Sequence, residues 1–403
     1  MGEIAELLER EDYDALIKVA RERVTSDRRT LADPELKTWI GKRWRNIFLT
    51  EAETDKRALA ASNGRLSLPG VSDKRSPRQR LAERFLVGDD RADWRPEMPP
   101  APEGPKKTTL LFCPGAINGL LPVMAFPHEL TALAERGWPI VRADAHPLRG
   151  CDANVEDIVA TMNEGVGMSP ANVMIPEEER KPPGDVVMLG YSKGTPDAMT
   201  TVIRRPELAK RVRAIISWGG PVHGSWLADD VHDAVKDLDI SLGRFDDSFK
   251  KLLTVLFPLI RLGEHVRRID EYDLKGATRD LTTPVRGEFL EQHATMFDEL
   301  DLPLFHVMGC TKITEVPLFQ VQGALELAKR DPEHDMQVPV SQARFPVPLA
   351  TDLSKIHAHH WDMTYGQFPR AARLTTPNLD HPFPRQAALA ATVLTLTELG
   401  IMD

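Results

Sequence analysis

Ser192 is the central residue of Gly190-Tyr-Ser-Lys-Gly194, a G-x-S-x-G pentapeptide. It follows the apolar run Asp185-V-V-M-L189 and leads, after Thr195-Pro-Asp197, into the helical pattern A-M-T-T-V-I. This order of strand, tight turn and helix lifts a serine hydroxyl above the end of a sheet: a nucleophile elbow. The chemistry such a residue does is acyl transfer. Serine is a weak nucleophile at its own pKa, so an imidazole must take its proton during attack and a carboxylate must orient that imidazole. The developing oxyanion also needs donors, one of them from the residue after the nucleophile, here the Lys193 N–H. The second belongs to a loop after an early strand. Cys113-P-G-A-I-N-G119 answers that description, with the Ala116 N–H as first choice and Ile117 as the alternative.

Elements of matching type surround these residues. Apolar runs over 108–113, 139–143, 185–189, 212–218 and 303–308 are separated by helical lengths, the pattern of parallel strands buried on both faces. A further run, Phe345-P-V-P-L-A350, is read as the last strand, and Arg385-Q-A-A-L-A-A-T-V-L-T-L396 as a terminal helix. From about His223 to Leu300 the rhythm changes to helical sequence, which suggests a cap over 223–300 inserted into a catalytic domain of 108–222 and 301–403. Residues 1–100 carry a helical period, with Trp39, Ile40, Trp44, Ile47 and Phe48 in register, and no catalytic signature. Prolines and charges then mark a linker at 101–107. Cleavage near Pro102 is accordingly expected to leave the catalytic part assembled.

Composition narrows the function. The 403 residues include 51 Lys plus Arg against 60 Asp plus Glu, a net charge of -9, which disfavours binding to nucleic acid. Three cysteines, Cys113, Cys151 and Cys310, lack C-x-x-C spacing, so neither a disulfide framework nor a zinc site is indicated. The longest apolar run, Leu252 to Ile260, is about half of the roughly 20 residues that cross a bilayer. It contains Pro258, so no transmembrane segment is expected. The start of the chain is acidic and amphipathic, and a cytoplasmic location is expected.

Beyond the elbow, Ser217-W-G-G-P-V-H-G-S-W-L-A-D229 matches G-T-P-H-x-G-S-x-x-A-D at Gly219, Pro221, Gly224, Ser225, Ala228 and Asp229, with Gly220 and Val222 in place of Thr and His. His334-D-M-Q-V-P-V-S341 is similar to D-G-x-V-P-V-S, with Met336 in place of the glycine. Over roughly 108–400 the chain thus resembles lipase-like and esterase-like serine hydrolases of the α/β-hydrolase superfamily. The resemblance implies an α/β-hydrolase fold with a mostly parallel sheet, an inserted helical cap and an N-terminal helical extension outside the match. It implies hydrolysis of a carboxylic ester through an acyl-enzyme, a small-molecule ester or acyl substrate and no cofactor. It makes Asp335 the triad acid and sets the order Ser, Asp, His; Glu315 and Asp301, near the run 303–308, are the fallback acids.

Four of the 12 histidines follow Asp335: His357, His359, His360 and His381. His360 is the choice for the base because similar hydrolases carry it in a His-Trp segment, and Trp361 follows. His381, just before the terminal helix, is the alternative. His357, His359, His360 and Asp362 also have metal-ligand composition, which leaves a metal hydrolase as a minor reading. The same triad would serve an acyltransferase, a thioesterase or an amidase, and a non-catalytic binding scaffold is the competing class. The run Leu252 to Ile260 is either cap core or a lid face that meets lipid or lines the acyl pocket.

Overall fold

The computed structural model describes residues 2–63, 73–104, 106–237, 268–376 and 378–403. Six strands form one sheet: β1 (Thr109–Cys113), β2 (Ile140–Arg142), β3 (Val186–Tyr191), β4 (Val212–Trp218), β5 (Leu304–Cys310) and β6 (Ala350–His357). Their order is β2-β1-β3-β4-β5-β6 and every pairing is parallel. The chain builds β1 and β2 outward, then returns past β1 to lay down β3. Strand order therefore reverses between β1 and β3, and a parallel α/β sheet opens its binding crevice at the carboxyl ends of the strands flanking such a reversal.

Strand alternation divides the core into two layers. Leu110, Phe112, Val187, Leu189, Ala214, Ile216, Phe305 and Val307 point to one face. Leu111, Val186, Met188, Ile215 and Leu304 point to the other, where Ile158, Met162, Ala198, Val202, Leu290 and Phe297 cover them. The first face is closed by two long helices, Pro34–Ala52 and Arg385–Glu398. The N-terminal helices thus share one hydrophobic core with the sheet. Trp44 Nε1 donates to Thr392 Oγ1 at 2.9 Å, and Arg43 forks onto Glu398 at 2.8 and 2.7 Å with both side chains buried. The proline-rich stretch before β1 forms no helix or strand among its described residues.

The last strand lies further along the chain than expected, at Ala350–His357 rather than 345–350. Pro346 and Pro348 have no N–H to give a ladder, so pairing starts only where they end. The true strand is hidden in sequence because half-buried positions such as Asp352 and Lys355 fall between buried ones, leaving no apolar run.

The described part of the segment between β4 and β5 contains helices Trp226–Val235, Leu274–Arg279 and Thr283–Glu299. Asp229, one of the matched residues, accepts hydrogen bonds from the Thr283 N–H and hydroxyl, each at 2.7 Å, at the start of the last of these. Asp280 likewise accepts from the Cys151 N–H at 2.7 Å, joining the insertion to helix Cys151–Glu164. The run 252–260 lies outside the described residues. Among the described residues, no helix is long and apolar enough to cross a membrane.

Candidate active site

β3 ends at Tyr191 and helix Gly194–Arg204 begins three residues later, so the turn must be abrupt. Ser192 takes it in the left-handed region, φ 51°. That conformation is costly for a residue with a Cβ and persists only where its surroundings impose it. The two flanking glycines are set by close approach. A Cβ on Gly190 would run into the Thr195 backbone, and one on Gly194 into the Cys113 carbonyl at the end of β1. The elbow is therefore clamped against the neighbouring strand.

His360 lies just beyond β6, where its N–H donates to the Asp335 carbonyl at 2.7 Å. The Tyr191 hydroxyl donates to the His360 carbonyl at 3.0 Å, and the two rings stack at 5.2 Å. The imidazole so held has Nδ1 2.7 Å from Asp335 Oδ2 and Nε2 2.9 Å from Ser192 Oγ. An ionised carboxylate can only accept, so Nδ1 carries the proton and Nε2 is left to accept from the serine. The other Asp335 oxygen accepts from the Gln337 and Val338 N–H groups at 2.9 and 2.7 Å, which fixes the carboxylate plane.

Met336, which replaces a glycine in the matched segment, adopts φ 78°. The glycine-type turn is kept, with the side chain fully buried. At Gly220 the space for a side chain is already filled by Thr195 Oγ1, which donates to the Gly190 carbonyl at 2.8 Å. A threonine from the elbow's own helix thus stands where the matched pattern has one at 220.

Ala116, Ile117, Ser192 and His360 line one cavity of about 260 Å³. Neither the Ala116 nor the Lys193 N–H donates to another described residue. The Lys193 side chain turns away from the cavity into a buried ion pair, with Nζ 2.7 and 2.9 Å from the two Asp197 oxygens. Asn154 Nδ2 donates to Asp197 Oδ2 at 2.9 Å and to the His146 carbonyl at 3.0 Å, tying the pair to the loop after β2. The cavity walls are mostly apolar. Leu227, Val231, Leu274 and Leu281 come from the segment between β4 and β5, and Phe319 and Val338 from the segments after β5. Ser225 Oγ, at the base of the insertion, donates to the Gln337 carbonyl in the loop that carries Asp335.

The other candidates fall elsewhere. His381 is buried with Nδ1 3.0 Å from the Tyr365 and Gly366 carbonyls, an arrangement that needs a proton on Nδ1. Burial, with His359 and Arg385 nearby, pushes its pKa well down. His359 Nδ1 accepts from the Asp362 N–H at 3.1 Å and its Nε2 lies 3.0 Å from the Asn378 carbonyl. His357 lies against Glu315, which is also 3.4 Å from Arg84, and Asp301 pairs with Arg29 at the surface. Among the described residues, no three His, Cys, Asp or Glu side chains, those of the H-x-H-H-x-D segment included, are grouped to hold a metal ion. Sequence reasoning missed Tyr191, the packing partner of the His360 ring, because it occupies an x position of the pentapeptide.

Four buried histidines, His146, His334, His359 and His381, and the half-buried His223 have lowered pKa values with burial as the leading cause, His146 to about 4. The folded protein holds them neutral, whereas the unfolded chain takes up protons below about pH 6.5. Their contribution to stability is therefore complete above about pH 6.5 and shrinks as pH falls, for His146 down to about pH 4. His146 alone stands for on the order of 2–3 kcal/mol over that window. We expect the melting temperature to drop by about 5 °C or more between pH 7 and pH 5. A flat profile would show that these rings are not held neutral.

No protein-family model matches the chain, and no curated protein does. Among solved structures it is similar to a metagenomic carboxyl esterase, at 18% identity and a TM-score of 0.58 over 87% of this chain and 90% of that one. A Bacillus licheniformis lipase in its mature form aligns at 18% identity and TM-score 0.42, over 66% of this chain and 89% of that one. Lipase 1 from Pelosinus fermentans aligns at 11% and 0.42, over 64% and 93%. The parallel sheet, the serine at the tip of β3 and the likeness to the esterase together identify an α/β-hydrolase fold.

Proposed function

We propose that the protein hydrolyses carboxylic esters through an acyl-enzyme, with Ser192 as nucleophile, His360 as base and then acid, and Asp335 as the group that orients the imidazole. The observation that carries this reading is the unbroken line of hydrogen bonds, 2.9 Å from Ser192 Oγ to His360 Nε2 and 2.7 Å from Nδ1 to Asp335 Oδ2. As Ser192 Oγ attacks the ester carbonyl, its proton passes to Nε2 and the imidazolium is stabilised by Asp335. The new oxyanion is held by the Lys193 and Ala116 N–H groups. Collapse expels the alcohol, which takes the proton from Nε2. Water then repeats the sequence on the acyl-serine and releases the acid.

The acyl group occupies the apolar cavity, and the insertion acts as its cap, a role supported by Leu227, Val231, Leu274 and Leu281 in the wall. In the same reading, residues 108–222 and 301–403 form the catalytic domain and 223–300 the cap, except that helix Thr283–Glu299 lies on the sheet through Leu290 and Phe297, and residues 1–100 are an extension before the 101–107 linker. The three thiols are buried and unpaired, which fits a reducing, cytoplasmic compartment. A fluorophosphonate probe tests the reading: it should label the wild-type protein on Ser192 and leave Ser192→Ala unlabelled. Absence of labelling in a folded wild-type protein with no esterase turnover would favour a binding scaffold.

A further inference from the structure

Tyr365 lies in the turn after His360 and is 1% exposed. Its backbone is fixed on three sides. The N–H donates to the Trp361 carbonyl at 2.7 Å, the carbonyl accepts from His381 Nδ1, and the residue bridges to Ala125, in the chain segment that continues from the Ala116 loop. The ring is held edge-on to Tyr191, 5.8 Å between centroids, and edge-on to Phe368 at 6.4 Å. All this packing fixes the ring, yet its hydroxyl oxygen is buried with no hydrogen-bond partner among the described residues. A buried tyrosine normally pairs its hydroxyl, and an unpaired buried polar group is destabilising. Tyr365 also lines the same cavity as Ser192, His360, Ala116 and Ile117.

We propose that the missing partner is the substrate, and that the Tyr365 hydroxyl donates a hydrogen bond to an oxygen of the reacting ester group. The inference rests on the ester hydrolase reading and adds a side-chain donor to the two backbone N–H groups. Burial pushes the phenol pKa up, so the group keeps its proton and serves as a donor throughout. No proton is transferred; the hydroxyl supplies a fixed dipole to an oxygen on which negative charge grows, and its bond strengthens along the reaction. His381, offered by the sequence as a base, acts in this arrangement as a positioning residue for Tyr365.

The test is Tyr365→Phe, which removes one oxygen and keeps the ring. With p-nitrophenyl butyrate as substrate we expect kcat to fall about 10- to 100-fold with KM little changed, and the rate of fluorophosphonate labelling to fall in parallel. The melting temperature should stay level or rise, because the variant no longer buries an unpaired hydroxyl. Unchanged kcat in Tyr365→Phe would overturn the inference while leaving the proposed function intact, as would a lower melting temperature, which would reveal a partner within the protein. A rise confined to KM would place the contact on a remote part of the substrate and overturn the assignment to the ester group. If the wild-type protein itself neither turns over the ester nor takes the label, the proposed function and this inference fall together.

Discussion

Ser192→Ala and His360→Ala should each lower ester turnover by about three orders of magnitude or more, and the two changes together should cost little more than either one alone. In the proposed mechanism nucleophile and base act as a unit: without the imidazole at 2.9 Å the hydroxyl keeps its proton, and without the hydroxyl the imidazole has nothing to activate. Both variants should still fold. Ser192 contributes a small side chain at a strained turn, and the backbone bonds of His360 to Asp335 and Tyr191 survive its truncation. His381→Ala separates the two histidine candidates. It should keep turnover well above that of His360→Ala, lowered by no more than the roughly 10- to 100-fold expected of Tyr365→Phe, while losing stability, since its ring packs on His359 and Phe368 in the core. An inactive His381→Ala beside an active His360→Ala would refute the triad.

Removing residues 1–100 should abolish the folded state. Trp39, Ile40, Trp44, Ile47 and Phe48 are all buried in the layer that covers one face of the sheet. At about 1.5–3 kcal/mol for each large side chain, those five alone stand for on the order of 10 kcal/mol. A whole domain has about 5–15 kcal/mol of net stability. We expect a 101–403 fragment to be insoluble or to melt without cooperativity, and to take no fluorophosphonate label. A soluble fragment labelled at the wild-type rate would show that the helices are a detachable extension.

The sequence suggested the opposite result, and the reason is physical. An amphipathic helix declares that one face needs covering but not what covers it, so the apolar stripe on Pro34–Ala52 gave no hint of its partners on Arg385–Glu398. The elbow was legible because a turn this tight admits few residues at positions 190 and 194. Central strands were legible because burial on both faces forces apolar runs, whereas β6, with alternating exposure, was placed several residues early. His360 is 168 residues from Ser192 in the chain, so no local pattern links them, and only chain order and a resemblance pointed to it. The substitutions at Gly220 and Met336 read as departures until three dimensions showed Thr195 occupying one space and a left-handed methionine holding the other turn.

The buried pair formed by Lys193 and Asp197 has a consequence for how such a site can change over evolutionary time. Replacing Lys193 alone strands a carboxylate in the interior directly beneath the elbow, and replacing Asp197 alone strands an ammonium; either step is destabilising by about 3–5 kcal/mol. Exchanging both for well-packed apolar residues is far less costly, yet that route passes through one of the two damaged intermediates. Positions 193 and 197 are therefore locked to each other by history as well as by charge. Among descendants of this chain they should be retained as a pair or replaced as a pair, even though the backbone N–H of residue 193, the only part of it with a role in the proposed chemistry, is common to every amino acid except proline.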